Sequence, residues 1–350
     1  MSLRKTFIGF LLLFFVVFFL GAQTSPEEFL GHKVGADRKL AAYNQIQAYF
    51  QKLDEESGRV KVLTIGKTTQ GKPMIMAVLT SKKNMAELDK YRRITRKLRD
   101  ARDLSPEDAR KLAKEGKVFV LISCNIHPYE IGSSQESMEF AYRLATGKTP
   151  FNADKALDEV IVLLIPSAAP DGQQMVTEWY RKTLGTPYEG NPMPWIDAQC
   201  ANGNNRDWVT FNLPETRILS KVLFHDWLPQ IHDDKHQMGP SGPRCFVPPF
   251  IDPADPNIHP LLYTGIGLLG ANMANDLQMS GFKGVEHARN WASAWWKGSY
   301  NGTAMVHHSI GIFSEMASAR IATPIYIEPT ELDETLHTKS LQMPDPWPGG

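Results

Sequence analysis

The stretch VFVLISCNIHPYEIGSSQ, residues 118–135, combines a predicted buried strand with the first candidate site of the chain. Its first seven residues are largely apolar, as in a strand that is buried on both faces of a sheet. His127 and Glu130 follow, and a run of small residues then predicts a helix start. Two interpretations stay open: the two side chains are surface loop residues, or they offer two ligands to one metal ion.

Strands and helices alternate around this stretch. An amphipathic helix is predicted within residues 37–60, a hairpin of two strands within residues 60–80, a helix from about Ser133 to Ala145, and a strand before the turn at residues 166–172. This order predicts an α/β fold with a central mixed, largely parallel sheet flanked by helices. Ligand sites in such sheets lie beyond the carboxyl ends of the strands, where His127 is expected.

The chain contains neither an internal repeat nor a low-complexity linker, so we expect a single domain over residues 25–350. Residues 84–117 are dense in charges of both signs and predict a charged helical insertion that begins a helix at SPED. The abrupt ending PDPWPGG, residues 344–350, suggests that the C-terminus is truncated.

Residues 1–22 have the pattern of a secretory signal peptide. Arg4 and Lys5 precede an apolar run from Phe7 to Leu20, and we expect cleavage near Ala22. The run is shorter than the roughly 20 residues of a membrane span, although an uncleaved anchor stays open as the alternative. The sequence therefore predicts a secreted or periplasmic protein with no stable membrane association after cleavage.

The composition argues against two further classes, nucleic-acid-binding proteins and disulfide-rich scaffolds. Lys plus Arg and Asp plus Glu both number 38, so the formal net charge is zero and nucleic-acid binding is not expected. The three cysteines, Cys124, Cys200 and Cys245, allow at most one disulfide bond, and Cys124 is expected to be a small core residue.

A third metal ligand has three candidates downstream. The segment FHDWLPQIHDDKHQMG contains His225, His232 and His236, and His232 follows the apolar WLPQI at a predicted strand end. His232 and His236 also have the spacing of the helical zinc motif H-E-x-x-H. Asp233 replaces the Glu of that motif and Gly239 follows soon after, which disfavours a long zinc-binding helix here.

Seven ordered elements resemble the zinc carboxypeptidase family, metallopeptidases that remove residues from peptide carboxyl termini. The resemblance covers nearly the whole chain after the signal peptide. The matching elements are VKVLTIGKTTQGKPM (60–74), IHPYE (126–130), PSAAPDG (166–172), WYRK (179–182), NNRDW (204–208), PQIH (229–232) and GIFSE (311–315).

The resemblance implies one Zn²⁺ per chain, bound by His127, Glu130 and His232. It also implies that Glu315 is the general base for a zinc-activated water, a role that suits a carboxylate beside a Lewis acid. Arg181 would stabilise the negative charge that develops on the carbonyl oxygen.

Two further residues would select the substrate. Asn205 and Arg206 would bind the terminal carboxylate, for which a planar guanidinium is a natural partner. The implied protein is an exported zinc-dependent metallocarboxypeptidase that acts on peptides with a free C-terminal carboxylate.

The chain departs from the family pattern at several positions. Tyr129 replaces an Arg that precedes the Glu ligand in digestive members, and Asp207 replaces an Asn. Gly203 stands where an Asp usually orients the first zinc His. Tyr300 is the candidate for the mobile active-site Tyr of the family, and an aromatic wall residue is the alternative interpretation.

Two other functions stay open at the level of sequence. On the same architecture, the protein could be a zinc amidohydrolase or deacylase of acyl amino acids, or a peptidase of cell-wall peptides. From a different class, it could be a non-catalytic binding module. The presence of three ligand candidates together with Glu315 argues against the binding module, because a degenerate member is expected to lose at least one of them.

Overall fold

The computed structural model describes residues 23–194, 203–287, 293–328 and 331. The predicted signal peptide at residues 1–22, Cys200 and the C-terminal residues 332–350 lie outside the described residues. Cys124 and Cys245 are buried free thiols, and Cys124 belongs to the core as predicted. Within the described ranges, no helix is long and apolar enough to cross a lipid bilayer.

A mixed sheet forms the centre of the fold. Its strands, in chain order, are β1 (Val60–Lys67), β2 (Pro73–Leu79), β3 (Val118–Cys124), β4 (Val160–Ile165), β5 (Ile231–Met238), β6 (Cys245–Phe246), β7 (Val285–Glu286) and β8 (Ile310–Ala317). Their spatial order is β1-β2-β4-β3-β5-β8-β6-β7. β4, β3, β5 and β8 run parallel to one another, and β1 and β2 form the predicted hairpin. The predicted fold class is confirmed.

The helices flank this sheet. In chain order they are α1 (Pro26–Leu30), α2 (Tyr43–Glu56), α3 (Lys82–Ala86), α4 (Leu88–Arg99), α5 (Pro106–Glu115), α6 (Gly132–Thr146), α7 (Ala153–Glu159), α8 (Pro170–Thr183), α9 (Pro214–Lys221), α10 (Pro260–Met279) and α11 (Tyr300–Val306). The helix predicted from about Ser133 to Ala145 is α6, and the amphipathic helix predicted within residues 37–60 is α2.

The apolar run that opens residues 118–135 contributes to the core on both faces of the sheet, with Val118 exposed at its start. Phe119 and Leu121 point into one core cluster, whereas Ile122 and Cys124 pack in a second cluster. Successive side chains of a strand alternate between faces, so a central strand needs apolar residues at nearly every position.

The charged insertion is held to the domain by the basic residues of α4. Arg92, Arg96 and Arg99 donate to the backbone carbonyls of Asp226, His225 and His308, at 3.3, 3.5 and 3.3 Å. The Arg92 guanidinium also lies over the Trp227 ring. These contacts give the basic face of the insertion a structural role.

The parallel strands bring three carboxyl ends to one edge of the sheet. Cys124 of β3 pairs with Lys235 of β5, and His236 of β5 pairs with Glu315 of β8. His232 is the second residue of β5 and therefore lies near the amino end of that strand. Its predicted position at a strand end is wrong, because the strand continues through polar residues to Met238.

Candidate active site

The turn after β3 is held by Asn125. This residue has a φ of 56°, a left-handed conformation that Asn tolerates better than most residues. Its side-chain Nδ2 donates to the carbonyls of His127 at 3.1 Å and Glu130 at 3.3 Å. Ser167 donates to Asn125 Oδ1 at 3.1 Å and so fixes the amide from the other side. The turn therefore presents the two candidate ligands in a defined orientation.

His127, Glu130 and His236 form a compact group of potential metal ligands. One donor atom from each lies within 4.8 Å of the others. His127 Nδ1 is 2.7 Å from Glu130 Oε1, and His236 Nδ1 is 2.9 Å from Glu130 Oε2. Two imidazoles and one carboxylate are a donor set that suits a catalytic zinc ion.

The electrostatics of the group favour a cation. Burial opposes ionisation of Glu130, but hydrogen bonds from His127 and His236 outweigh it and lower its pKa to about 2. Burial likewise opposes the charged form of His236, yet the carboxylates of Asp234 and Glu130 raise its pKa well above the ordinary value. A site that stabilises positive charge on His236 in this way also suits a divalent ion.

The structure brings His236, and not His232, to this group. The two histidines lie on the same face of β5, four residues and therefore about 13 Å apart along an extended strand. His232 is fully buried, with its Nε2 atom 3.0 Å from Ser123 Oγ. Burial lowers its pKa to about 4. His232 is therefore too far along the strand to join His127 and Glu130.

Glu315 lines the same pocket as the candidate ligands. It is the register partner of His236 in the parallel β5 and β8 pair, so the two side chains lie side by side on one face. The pocket is also lined by His127, Glu130, Asn205 and Arg206. This is the position expected for a carboxylate that acts next to a metal site.

Asn205 and Arg206 also belong to the pocket. Asn205 Oδ1 accepts from the Tyr300 backbone at 3.0 Å, and its Nδ2 lies 3.5 Å from His127 Nε2. Arg206 is exposed, and its guanidinium lies over the Trp296 ring at 4.8 Å from the ring centroid. Asn205 approaches His127 from the short 3-10 helix Gly203–Asn205, and 3.5 Å is long for a hydrogen bond.

The Tyr300 side chain does not enter the pocket. It is fully buried, stacked on Trp208 with 4.2 Å between centroids, and in contact with the His232 ring at 4.2 Å. Its two neighbours in sequence, Ser299 and Asn301, do line the pocket. Tyr300 is a core residue in this structure rather than part of the pocket wall, and a mobile active-site phenol does not fit this placement, because the ring is enclosed on both faces.

Arg181 also lies away from the pocket. Its Nη2 atom donates to the Leu40 carbonyl at 2.6 Å and to Gln45 Oε1 at 2.5 Å, and so ties α8 to α2. Arg181 is eleven residues into α8, about 16 Å from the helix start beside the strand ends. The length of α8 carries its guanidinium away from the site, so we assign it no catalytic role.

Residues of β5 on either side of His236 also support the site. The Gln237 backbone donates to Glu130 Oε2 at 3.1 Å, and its side chain accepts from Gly132 N at 2.7 Å. Asp234 lies against His236, with 3.0 Å between Oδ2 and Nε2. Sequence analysis missed all three roles, and the alternation of His and Asp at positions 232, 234 and 236 is the signal that points to one face of a strand.

Comparison with known proteins gives a family match for part of the chain. Residues 46–216 match the family model described as zinc carboxypeptidase. The matched segment contains His127, Glu130, Asn205 and Arg206, and it ends before His236. No curated protein sequence matches the chain.

Solved structures share the fold at low sequence identity. Carboxypeptidase A from Helicoverpa armigera has a TM-score of 0.53 at 14% identity, over 83% of this chain and 69% of that chain. Thrombin activatable fibrinolysis inhibitor has a TM-score of 0.55 at 12% identity, over 87% and 72% of the two chains. A metallo-carboxypeptidase from Burkholderia cenocepacia has a TM-score of 0.50 at 19% identity, over 77% of this chain and 59% of that chain. At these identities the comparison establishes a shared fold, in agreement with the partial family match over residues 46–216.

Proposed function

We propose that this protein, whose residues 46–216 match the zinc carboxypeptidase family model, is an exported metallocarboxypeptidase that removes C-terminal residues from peptides. The convergence of His127, Glu130 and His236 with Glu315 in one pocket carries this proposal. Export is inferred from the composition of residues 1–22 alone.

His127, Glu130 and His236 would hold one zinc ion per chain. Zinc bound there would supply Lewis acidity, which lowers the pKa of a water molecule and polarises a carbonyl group. The backbone of Gln237 and the side chain of Asp234 hold the carboxylate and one imidazole of this set in place. Ligands that are already oriented lose little conformational freedom when the ion binds.

Glu315 would act as the general base and acid of the reaction. From its place beside His236, its carboxylate would take a proton from the attacking water and return it to the leaving amine. The β5 and β8 backbone pairing holds this carboxylate at a fixed distance from the ligand group, as proton transfer requires.

Asn205 and Arg206 would bind the terminal carboxylate of the peptide. Arg206 Nη1 donates to the Asn205 carbonyl at 2.9 Å, and the contact of the guanidinium with the Trp296 face holds its plane without using further N–H donors. A carboxylate held there restricts cleavage to the end of a peptide, which distinguishes an exopeptidase from an endopeptidase.

A substrate panel tests the proposal. The purified protein is incubated with peptides that have a free C-terminus, with the same peptides amidated at the C-terminus, and with N-acyl amino acids, and its zinc content is measured in parallel. We expect about one zinc per chain and stepwise release of C-terminal residues from the free peptides only. Hydrolysis of N-acyl amino acids alone would instead establish a deacylase, and a zinc-loaded protein inert on the whole panel would indicate a binding module.

Arg206→Gln is expected to weaken the recognition of free C-termini. A hydrogen bond to a charged group contributes ~1.5–3 kcal/mol, so kcat/KM for free peptides should fall by roughly 10- to 100-fold, mostly through KM. Arg217→Gln is the matched control, because Arg217 is exposed on α9 and donates to the Phe211 carbonyl. Equal losses in both variants would contradict the proposed role of Arg206.

A further inference from the structure

We infer that Asp234 is a positioning residue, which holds the imidazole of His236 so that its other ring nitrogen faces His127 and Glu130. Asp234 Oδ2 lies 3.0 Å from His236 Nε2, and His236 Nδ1 lies 2.9 Å from Glu130 Oε2. The two ring nitrogens of His236 thus contact carboxylates on opposite sides of the ring. This inference rests on the proposed zinc site.

The carboxylate of Asp234 is itself fixed. It is fully buried, and its second oxygen accepts from Ser123 Oγ at 3.0 Å. Ser123 is the register partner of Asp234 across the parallel β3 and β5 pair. A buried carboxylate without partners is costly, and the contacts of Asp234 with Ser123 and His236 offset that cost.

The contacts of Ser123 define a chain of donors and acceptors. A hydroxyl has one proton, and because an ionised carboxylate only accepts, Ser123 donates that proton to Asp234. Ser123 Oγ must then accept from His232 Nε2, which lies 3.0 Å away. The hydrogen bonds run from His232 through Ser123 and Asp234 to His236, so the fully buried His232 is the end farthest from the candidate ligands.

This series of hydrogen bonds determines which ring nitrogen of His236 is available to a metal ion. Without a metal ion, His236 Nδ1 is in hydrogen-bond contact with Glu130 Oε2; because Asp234 keeps the proton on Nε2, the Nδ1 lone pair becomes available when a metal ion replaces the Nδ1 proton. A metal ion could bind this Nδ1 atom without rotation of the ring. Asp234 would therefore increase metal affinity through His236 without itself being a ligand.

Asp233 provides a matched control for Asp234. It is the adjacent residue of β5, and its side chain is directed to the opposite face of the sheet. There it contacts Lys235 Nζ at 3.1 Å and accepts from Ser314 Oγ at 3.3 Å. Both aspartates are buried and hydrogen-bonded, but only Asp234 contacts a candidate ligand.

The test measures zinc affinity of the full chain by competition with a chromophoric chelator. Asp234→Asn is expected to bind zinc about 10- to 100-fold more weakly than the parent, and Asp233→Asn to stay within roughly threefold of it. The visible spectrum of the cobalt-substituted protein should change in Asp234→Asn only, because it reports the geometry of the ligands. A purely structural role would lower the unfolding midpoint of the metal-free protein and leave the zinc affinity of the folded fraction and the cobalt spectrum unchanged.

Ser123→Ala provides a second variant should Asp234→Asn fail to fold. It removes the hydrogen bond to Asp234 Oδ1, and we expect a smaller loss of zinc affinity, of about 3- to 10-fold. Parent-like zinc affinity in a folded Asp234→Asn, or in Ser123→Ala if the first variant is unfolded, would overturn the inference. A parent that binds no zinc would instead overturn the proposed function.

Discussion

His236→Gln should lose its zinc and its peptidase activity, whereas His232→Gln should keep about one zinc per chain. Zinc affinity in structural sites corresponds to ~10–16 kcal/mol shared among the ligands, so the loss of one ligand is expected to cost roughly 100-fold or more in affinity. His236 Nδ1 is one of the three donor atoms that lie within 4.8 Å of one another. His232 contacts Ser123 and the Tyr300 ring instead.

The measurement is zinc content after dialysis against a weak chelator, combined with hydrolysis of a free-carboxylate peptide. Gln was chosen for both positions because it keeps a hydrogen-bond donor and a similar volume. His225→Gln serves as the background control, since the His225 side chain is exposed and lies in the short helical segment Val222–Asp226, whose carbonyls anchor the charged insertion. Zinc loss in His232→Gln with zinc retained in His236→Gln would restore the ligand set expected from sequence alone.

The part of the site that sequence could predict lies on strongly patterned segments. The apolar strand β3, the turn with His127 and Glu130, and the helix α6 follow each other within residues 118–146, so local pattern is enough to place them. The β1 and β2 hairpin is predictable for the same reason, because its turn and its two strands are adjacent in the chain.

The error at His232 has a physical cause. The strand β5 reads IHDDKHQM and contains no apolar alternation, so neither its period nor its length can be recognised from sequence. It is a strand because β3 and β8 pair with it on either side, which satisfies its backbone, and because its charges pair across both faces. The sequence places the strand end near His232, whereas in the structure the pairing with β3 and β8 extends the strand past His236 to Met238.

Tyr300 and Arg181 illustrate a second limit of sequence analysis. Motif spacing placed both near the site, but the direction of each side chain depends on helix geometry. Tyr300 is the first residue of α11 and points into the core, while Arg181 lies at the far end of α8. Helical residues turn by about 100° at each step, so a shift of one position changes which face a side chain occupies.

Glu315→Gln should retain zinc but lose turnover. The amide is nearly isosteric with the carboxylate and cannot accept a proton, so kcat should fall by about 100- to 10,000-fold, the range for loss of a general base. Because Glu315 is not in the ligand group, zinc content should stay at the parental value. KM for a free-carboxylate peptide should change little, since Asn205 and Arg206 are intact.

The experiment compares single-turnover rates and zinc content of the parent, Glu315→Gln and Glu136→Gln. Glu136 is an exposed carboxylate on α6, and its variant should keep the parental rate. If Glu315→Gln lost zinc as well, Glu315 would be a ligand, and the base would have to be sought elsewhere in the pocket. If it kept both zinc and turnover, the proposed catalytic role of Glu315 would be wrong. The proposed metal site would be unaffected by that result, because its ligand His236 belongs to β5 and Glu315 belongs to β8.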